Sequence, residues 1–425
     1  MNSGVFYLLK KRTYLPLFLT QFFGAFDDNA FKLAMLTMIS YFLTNNQGQS
    51  EMYQAVAGAL FILPFFLFSA TAGQLADKID KAKMTRVLKI FELGLMIIGG
   101  FGLYYGHISL MMVTLTGMGV HSSFFGPIKY AILPDHLEKQ QLLGATSLIE
   151  ASTFLAILLG TVLGTLSVGG AKIGSIYAIV LTCFAAIFGL CASMFIPSAR
   201  VNGSQVVVDW WLIRATSNML KEVLNNRKLV APILIISWFW LVGAVVLTKL
   251  PDYANYVLHA ETSVFAFFLG LFSVGIAAGS YAINKILHGE VSLKYVPFTM
   301  FLLSVFSCDL YFATPHHQAN IQTMSDYLTS IPHIRISMDL FLLAFSGGLF
   351  IVPLYTFLQV TSEVTHRART IAANNIFNAL FMVVGSLLVI FFVYIDVSIP
   401  GVFLIVGLLN AIVALIAWYY FDRGH

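Results

Sequence analysis

Gln21-Phe22-Phe23-Gly24-Ala25-Phe26-Asp27-Asp28-Asn29-Ala30-Phe31-Lys32 stands in the middle of an apolar run, 13–43, that is long enough to cross a bilayer. Asp28 lies midway along that run, roughly 22 Å from either end at 1.5 Å rise per residue. A charge near the membrane midplane costs about 2.5–3.5 kcal/mol on insertion scales, so it has to face a protein interior or a wet cavity. Gln21, Asp28 and Lys32 recur at i, i+7 and i+11, one helical stripe shared with Gly24 and Ala25. Asp27 points off it. One face of this helix is expected to look toward a polar space inside a bundle, with the remaining helices as its walls.

The rest of the chain supplies those walls. Of 425 residues, 58% are hydrophobic and only 10% charged, where a soluble chain carries about 25% charged residues. Mean hydropathy is +0.83. The composition predicts an all-α polytopic membrane protein, and the 38 phenylalanines fit lipid-facing surfaces. Cys183, Cys191 and Cys308 sit in apolar runs without metal-ligand spacing and read as packing residues. Lys10, Lys11 and Arg12 precede a run too long and too acidic for a secretory h-region, so no cleavable signal peptide is expected. The net charge of +4 says little about partners, because where the charges sit matters more, and no nucleic-acid partner is expected.

Apolar runs delimit twelve spans, 13–43, 52–76, 84–105, 108–133, 141–167, 173–196, 228–250, 261–285, 292–312, 335–357, 368–394 and 400–421. The mixed polar segment 197–227 divides them into a six-helix half, 1–196, and a second, 228–425. Within that linker Trp210 to Leu224 is amphipathic and is expected to lie on the membrane surface. Lys and Arg gather on one side: Lys10, Lys11, Arg12; Lys78, Lys81, Lys83, Arg86, Lys89; Lys139; Arg200, Arg214, Lys221, Arg227, Lys228; Lys285, Lys294; Arg367, Arg369; Arg423. Lys172 and Arg335 fall on the other. This bias puts both termini in the cytoplasm. The halves also echo each other. Ala145-Thr146-Ser147-Leu148-Ile149-Glu150-Ala151 in span 5 answers Ala373-Asn374-Asn375-Ile376-Phe377-Asn378-Ala379 in span 11. Gly126-Pro127-Ile128-Lys129-Tyr130 in span 4 answers Val352-Pro353-Leu354-Tyr355 in span 10. Parallel six-helix repeats are a transporter plan that places a site between the repeats at mid-membrane.

Gly73-Gln74-Leu75-Ala76-Asp77-Lys78-Ile79-Asp80-Lys81-Ala82-Lys83, between spans 2 and 3, resembles the cytoplasmic loop signature of the major facilitator superfamily. Asp80 stands where that family usually has glycine. Asp77 can cap a neighbouring helix end, so Gly73, Asp77, Lys78 and Lys81 are the expected conformational latch. The motifs 21–30, 125–133 and 150–160 resemble the bacterial lysophospholipid transporter family within that superfamily. His366-Arg367-Ala368-Arg369 followed by Ala372-Ala373-Asn374-Asn375 is similar to the version fused to an acyltransferase and acyl–acyl-carrier-protein synthetase. The enzyme portions are expected to be absent here, and no histidine begins a His-x-x-x-x-Asp pair.

The resemblance implies inward flipping of lysophosphatidylethanolamine and lysophosphatidylglycerol across the bacterial inner membrane for reacylation. A monomer is expected, with a cytoplasmic acyltransferase/acyl-carrier synthetase as partner and lateral entry from membrane lipids, since drawing a tail through water costs about 0.8 kcal/mol per CH₂. Lys129 and Tyr130 suit a phosphate. Asp28 and Glu150 suit an ammonium, and Asn29, Asn374, Asn375 and Asn378 suit glycerol hydroxyls. Lys32 and Lys249 complete the candidate set. Other readings stand beside these: Asp28 and Lys32 are spaced to neutralise each other, Lys129 can snorkel, Lys249 can anchor at the interface, and the asparagines can join helices. Glu92 and Asp339 are intramembrane acids without a motif, and the adjacent His316 and His317 are not expected to bind metal. No cofactor motif, nucleophile–base pair or nucleotide loop is present, so an enzyme is not expected. The alternative function is a proton-coupled exporter of drugs or small amphiphiles using Asp28 or Glu150. A membrane scaffold recruiting an acyltransferase is a third.

Overall fold

The computed structural model describes residues 5–44, 47–168, 171–199, 201, 205–315 and 323–422. Arg200, His316, His317 and Arg423 lie outside them. Among the described residues every regular element is a helix, and twelve helices are long: α1 Leu15–Met38, α2 Gln47–Lys78, α3 Lys81–Tyr105, α4 Ile108–Ala131, α5 Lys139–Ser167, α6 Ala171–Met194, α7 Arg227–Asp252, α8 Thr262–Ile286, α9 Val296–Ala313, α10 Ile331–Thr361, α11 Arg367–Tyr394 and α12 Ile399–Asp422. Eleven of the described helices are long and apolar enough to cross a membrane. The exception is α1, whose Asp27, Asp28 and Lys32 interrupt its apolar run.

The chain forms two compact units. The first holds 1–145, 155–227 and 358–376; the second holds 146–154, 228–357 and 377–425. Short stretches of α5, α10 and α11 thus group apart from the rest of their helices. In the first unit α1 packs on α6, α3 on α4 and α6, and α2 on α4. Its apolar core includes Phe31, Met35, Met96, Leu103, Met111 and Leu115. In the second unit α9 packs on α12, where Asn410 donates to the Met300 carbonyl at 2.7 Å and to Ser304 at 2.8 Å.

Lipid tails are as apolar as leucine, so helices in a membrane associate through close backbone approach at small residues. A Cβ placed on Gly119 of α4 would lie 2.5 Å from the Phe61 carbonyl oxygen of α2. The counterpart in the second unit is Gly279 of α8, whose Cβ would lie 2.0 Å from the Phe345 carbonyl oxygen of α10. Each unit also opens on a long helix that ends in a single π turn: Ile39–Leu43 after α1 and Tyr253–Val257 after α7. Pro127 and Pro353 both lie inside their helices.

The linker helix Leu212–Asn225 buries Ala215, Met219 and Val223. It lies along α2, with the Thr216 hydroxyl donating to the Phe66 carbonyl at 3.0 Å. Trp210, Trp211 and Ile213 remain exposed beside it. Lys81 and Lys89, counted from sequence among the positive charges of the cytoplasmic side, are both buried. The cause is that α3 starts at Lys81, earlier than its apolar run, because Asp80 caps it by accepting the Ala82 N–H at 2.9 Å.

Candidate functional site

The polar stripe of α1 meets α4. Asp28 accepts a hydrogen bond at 2.7 Å from the Ser122 hydroxyl, and its other oxygen, Oδ1, is buried without a donor among the described residues. Ser122 rather than Lys32 therefore holds Asp28. Lys32 instead reaches over the Phe61 ring, its Nζ 5.9 Å from the centroid. Asn29 turns its amide back on its own helix and donates to the Ala25 carbonyl at 2.8 Å.

Further along α4, the Lys129 ammonium lies 4.8 Å from the centroid of the Tyr130 ring, so these neighbours act as a unit. Asn375 of α11 belongs to the same compact unit and comes close to Gly126, where a Cβ would lie 2.6 Å from its Nδ2. Glycine at 126 is what admits that amide. Asn374 is fully buried.

Glu150 and Asn378 fall in the second unit. Glu150 is buried in α5. Near it on the same helix, the Ser147 hydroxyl donates to the Ser280 carbonyl at 2.6 Å, and Phe154 stacks on Trp240 with centroids 6.3 Å apart. Asn378 accepts from the Ser237 hydroxyl at 2.9 Å and donates to the Tyr355 hydroxyl at 3.4 Å. That hydroxyl also accepts the Trp240 indole N–H at 3.0 Å. Lys249 stands apart from this network, about 18 Å farther along α7 than Ser237. It faces Asp252 at 3.7 Å.

The loop signature builds a helix cap. Asp77 is buried at the end of α2, where Oδ1 accepts the Ala368 N–H at 2.9 Å. Its Oδ2 accepts the Arg369 N–H at 3.3 Å and the guanidinium Nε at 3.2 Å. These are the first N–H groups of α11, which have no partner within their own helix. Gly73 makes the approach possible: a Cβ there would lie 2.7 Å from Ala372 Cβ and 2.9 Å from Arg369 Cα. Lys81 pairs with Asp135 at 2.9 Å, and Asp135 also faces Arg367 at 3.6 Å. Lys78 is exposed.

Asp80, the departure from the usual glycine, has its own work. Besides capping α3 it accepts the Ser198 hydroxyl, and the Ala199 N–H at 3.0 Å, tying the start of the linker to α3. Burial alone would raise its pKa, but these donors outweigh burial and hold it below the ordinary carboxylate value. Beside the same junction, burial holds His136 below the ordinary histidine value.

Sequence reasoning missed Ser122, Ser237 and Trp240 as partners, and cited Tyr355 only as an echo of the first half. Ser122 precedes Lys129 by two helical turns, a spacing that puts both on one stripe. Among the described residues no three His, Cys, Asp or Glu side chains group to hold a metal ion.

The sequence matches the Major Facilitator Superfamily over residues 17–325, and the chain belongs to that family of membrane transporters. It is a multi-pass transporter. It is 26% identical over 343 residues to a lysophospholipid transporter of Escherichia coli O157:H7, covering 80% of this chain and 78% of the relative. To the lysophospholipid transporter of Photorhabdus laumondii it is 27% identical over 369 residues, covering 85% and 84%. The fold is shared with the human organic anion transporter MFSD10, with TM-score 0.72 at 12% identity over 95% of this chain and 99% of that one. It is shared likewise with the proton:xylose symporter XylE, with TM-score 0.71 at 12% identity over 97% and 96%.

Proposed function

We propose that this protein carries lysophosphatidylethanolamine and lysophosphatidylglycerol from the outer to the inner leaflet of a bacterial inner membrane, where they are reacylated. Both termini then lie in the cytoplasm, and the six-helix halves 1–196 and 228–425 alternate in access, with 197–227 as linker. One observation carries the reading: Asp28, half-buried in a membrane helix, takes a single hydrogen bond from Ser122 and keeps its second oxygen buried without a donor among the described residues. A substrate ammonium fits that oxygen. The similarity to lysophospholipid transporters over most of the chain supports the same class.

Roles follow from chemistry. Lys129 with Tyr130 takes the phosphate, Glu150 offers a second acid, and Asn29, Asn374, Asn375 and Asn378 offer amides to glycerol. Lys32 and Lys249 supply further positive charge. The acyl tail enters sideways from the bilayer, because drawing it through water costs about 0.8 kcal/mol per CH₂. Gly73, Asp77, Lys78 and Lys81 act as the latch, with Asp77 releasing α11 in one step of the cycle. A soluble acyltransferase consumes the product, and the transporter works as a monomer. The test is movement of fluorescent lysolipids and diacyl lipids in proteoliposomes. Single-tailed lipids with ethanolamine or glycerol headgroups are expected to move. Equal movement of diacyl lipids, or none of either, contradicts the reading.

A further inference from the structure

A groove between α5 and α6 in the first unit has no part in the polar site. Leu163, Leu166, Tyr177, Val180, Leu181 and Phe184 line it, and its volume is about 460 Å³. That falls within the range of about 300–1,000 Å³ typical of small-molecule sites. The way both helices bed on α1 builds it. A Cβ on Gly160 of α5 would lie 2.4 Å from the Phe26 carbonyl oxygen of α1, and one on Gly164 would lie 2.3 Å from the Ala30 carbonyl oxygen. Leu181 and Ala185 of α6 belong to the apolar cluster that holds Phe26 and Ala30. Each helix thus spends one stripe on α1. The neighbouring stripes are left apart and exposed, Leu163 and Leu166 on α5 and Tyr177, Val180 and Phe184 on α6.

The walls suit a hydrocarbon chain. Ser167 also lines the groove, but its hydroxyl is spent on the Gly164 carbonyl at 2.7 Å. Leu163 lies roughly 36 Å along α5 from Lys139 at the start of the helix. With both termini in the cytoplasm that is the outer leaflet, where the surroundings are lipid tails. Tyr177, near the start of α6, puts an aromatic ring close to the outer interface, where tyrosines gather. A methylene takes up roughly the 30 Å³ that a water has in the liquid, so the groove matches about fifteen of them. That is one acyl tail. A diacyl lipid would have to leave its second tail outside.

We propose that this groove binds the acyl tail of a lysophospholipid in the outer leaflet and is its loading site beside α1. Lipid tails are as apolar as the groove, so a tail entering from the bilayer gains no hydrophobic free energy and is held by fit alone. The hold is weak. Its effect is to gather single-tailed lipid next to α1, not to speed the crossing, so filling the groove raises KM and leaves kcat. The loading role rests on the transport reading above. Binding of the tail does not.

Two measurements on the full-length chain in proteoliposomes separate them. Lysophosphatidylethanolamine with a diazirine at the end of its tail is photolysed and the adducts are mapped by mass spectrometry. They are expected in 160–167 and 177–184, and excess unlabelled lysophosphatidylethanolamine should displace them while diacyl phosphatidylethanolamine does not. Val180→Trp fills the groove from α6 and Leu166→Trp from α5; Val113→Trp adds the same bulk at an exposed position of α4. The first two should lose the adducts and raise KM for lysophosphatidylethanolamine several-fold at unchanged kcat, and the third should match wild type. Adducts absent from both segments, or displaced equally by the diacyl lipid, overturn the tail site. Lost adducts with wild-type KM overturn the loading role. If wild type moves no lysolipid, the transport reading and the loading role fail, while the adducts still decide the tail site.

Discussion

Asp77 at the end of α2 accepts the backbone N–H of Ala368 in the first turn of α11 at 2.9 Å, across most of the length of the sequence. An acidic cap at a helix N-terminus satisfies donors the helix cannot and meets its positive dipole end. Removing such a cap costs about 1 kcal/mol, a factor of roughly five in a local opening equilibrium. Asp77→Ala is therefore expected to speed hydrogen exchange at Ala368 and Arg369 about fivefold or more, while α12 is unchanged. Mass spectrometry of the 365–375 segment reads it, and unchanged exchange there refutes the latch.

The close approach that allows this cap depends on Gly73. Its Cβ would overlap Ala372 and the Arg369 backbone, whereas nothing lies within 4 Å of a Cβ on Gly58 of the same helix. Overpacking costs about 1–3 kcal/mol. Gly73→Ala should lower thermal stability in detergent by several degrees, and Gly58→Ala should lower it little or not at all.

The junction of α3 with the linker has a pH signature. His136 is held below the ordinary value of 6.5 by burial, so the unfolded chain takes up a proton before the folded one does. Its contribution to stability is whole above 6.5 and is lost as pH falls. Asp80 is held below 3.8, so it stays charged across neutral and mildly acidic pH. Between about pH 7.5 and 5.5 the wild type should lose thermal stability, and His136→Gln should lose less. The deficit of Asp80→Asn should stay flat over that window. A deficit that changes steeply there contradicts the assignment.

Much of the fold was legible because membrane insertion leaves so coarse a mark. Apolar runs gave twelve long helices with boundaries within a few residues, and the Gly73–Lys83 signature marked the loop that proves to cap α11. The candidate site was less legible, because partners in a bundle are set by which faces meet. Glu92 was placed in a span without a role, and Lys89 was only counted among the positive charges of one side. They form a buried pair whose i, i+3 spacing was the available signal, but the approach of His121 from α4 to the same Glu92 oxygen, at 3.4 Å, leaves no trace in local sequence. The pairing of Asp28 with Ser122 was hidden for the same reason.

Lys129 separates two kinds of substrate. If its ammonium takes the phosphate, Lys129→Gln should slow lysophosphatidylethanolamine at least several-fold more than uncharged monoacylglycerol, since a hydrogen bond to a charged group contributes about 1.5–3 kcal/mol. Equal slowing of both makes it a structural lysine.

The most direct test is the rate of lysophosphatidylethanolamine flipping in proteoliposomes containing equal amounts of wild type and Asp28→Asn. Asparagine keeps the size and the acceptor for Ser122 but gives up the charge offered to the ammonium. The account predicts a loss of about tenfold or more, the effect of about 1.5–3 kcal/mol for a charged hydrogen bond. Equal rates for the two proteins would contradict it.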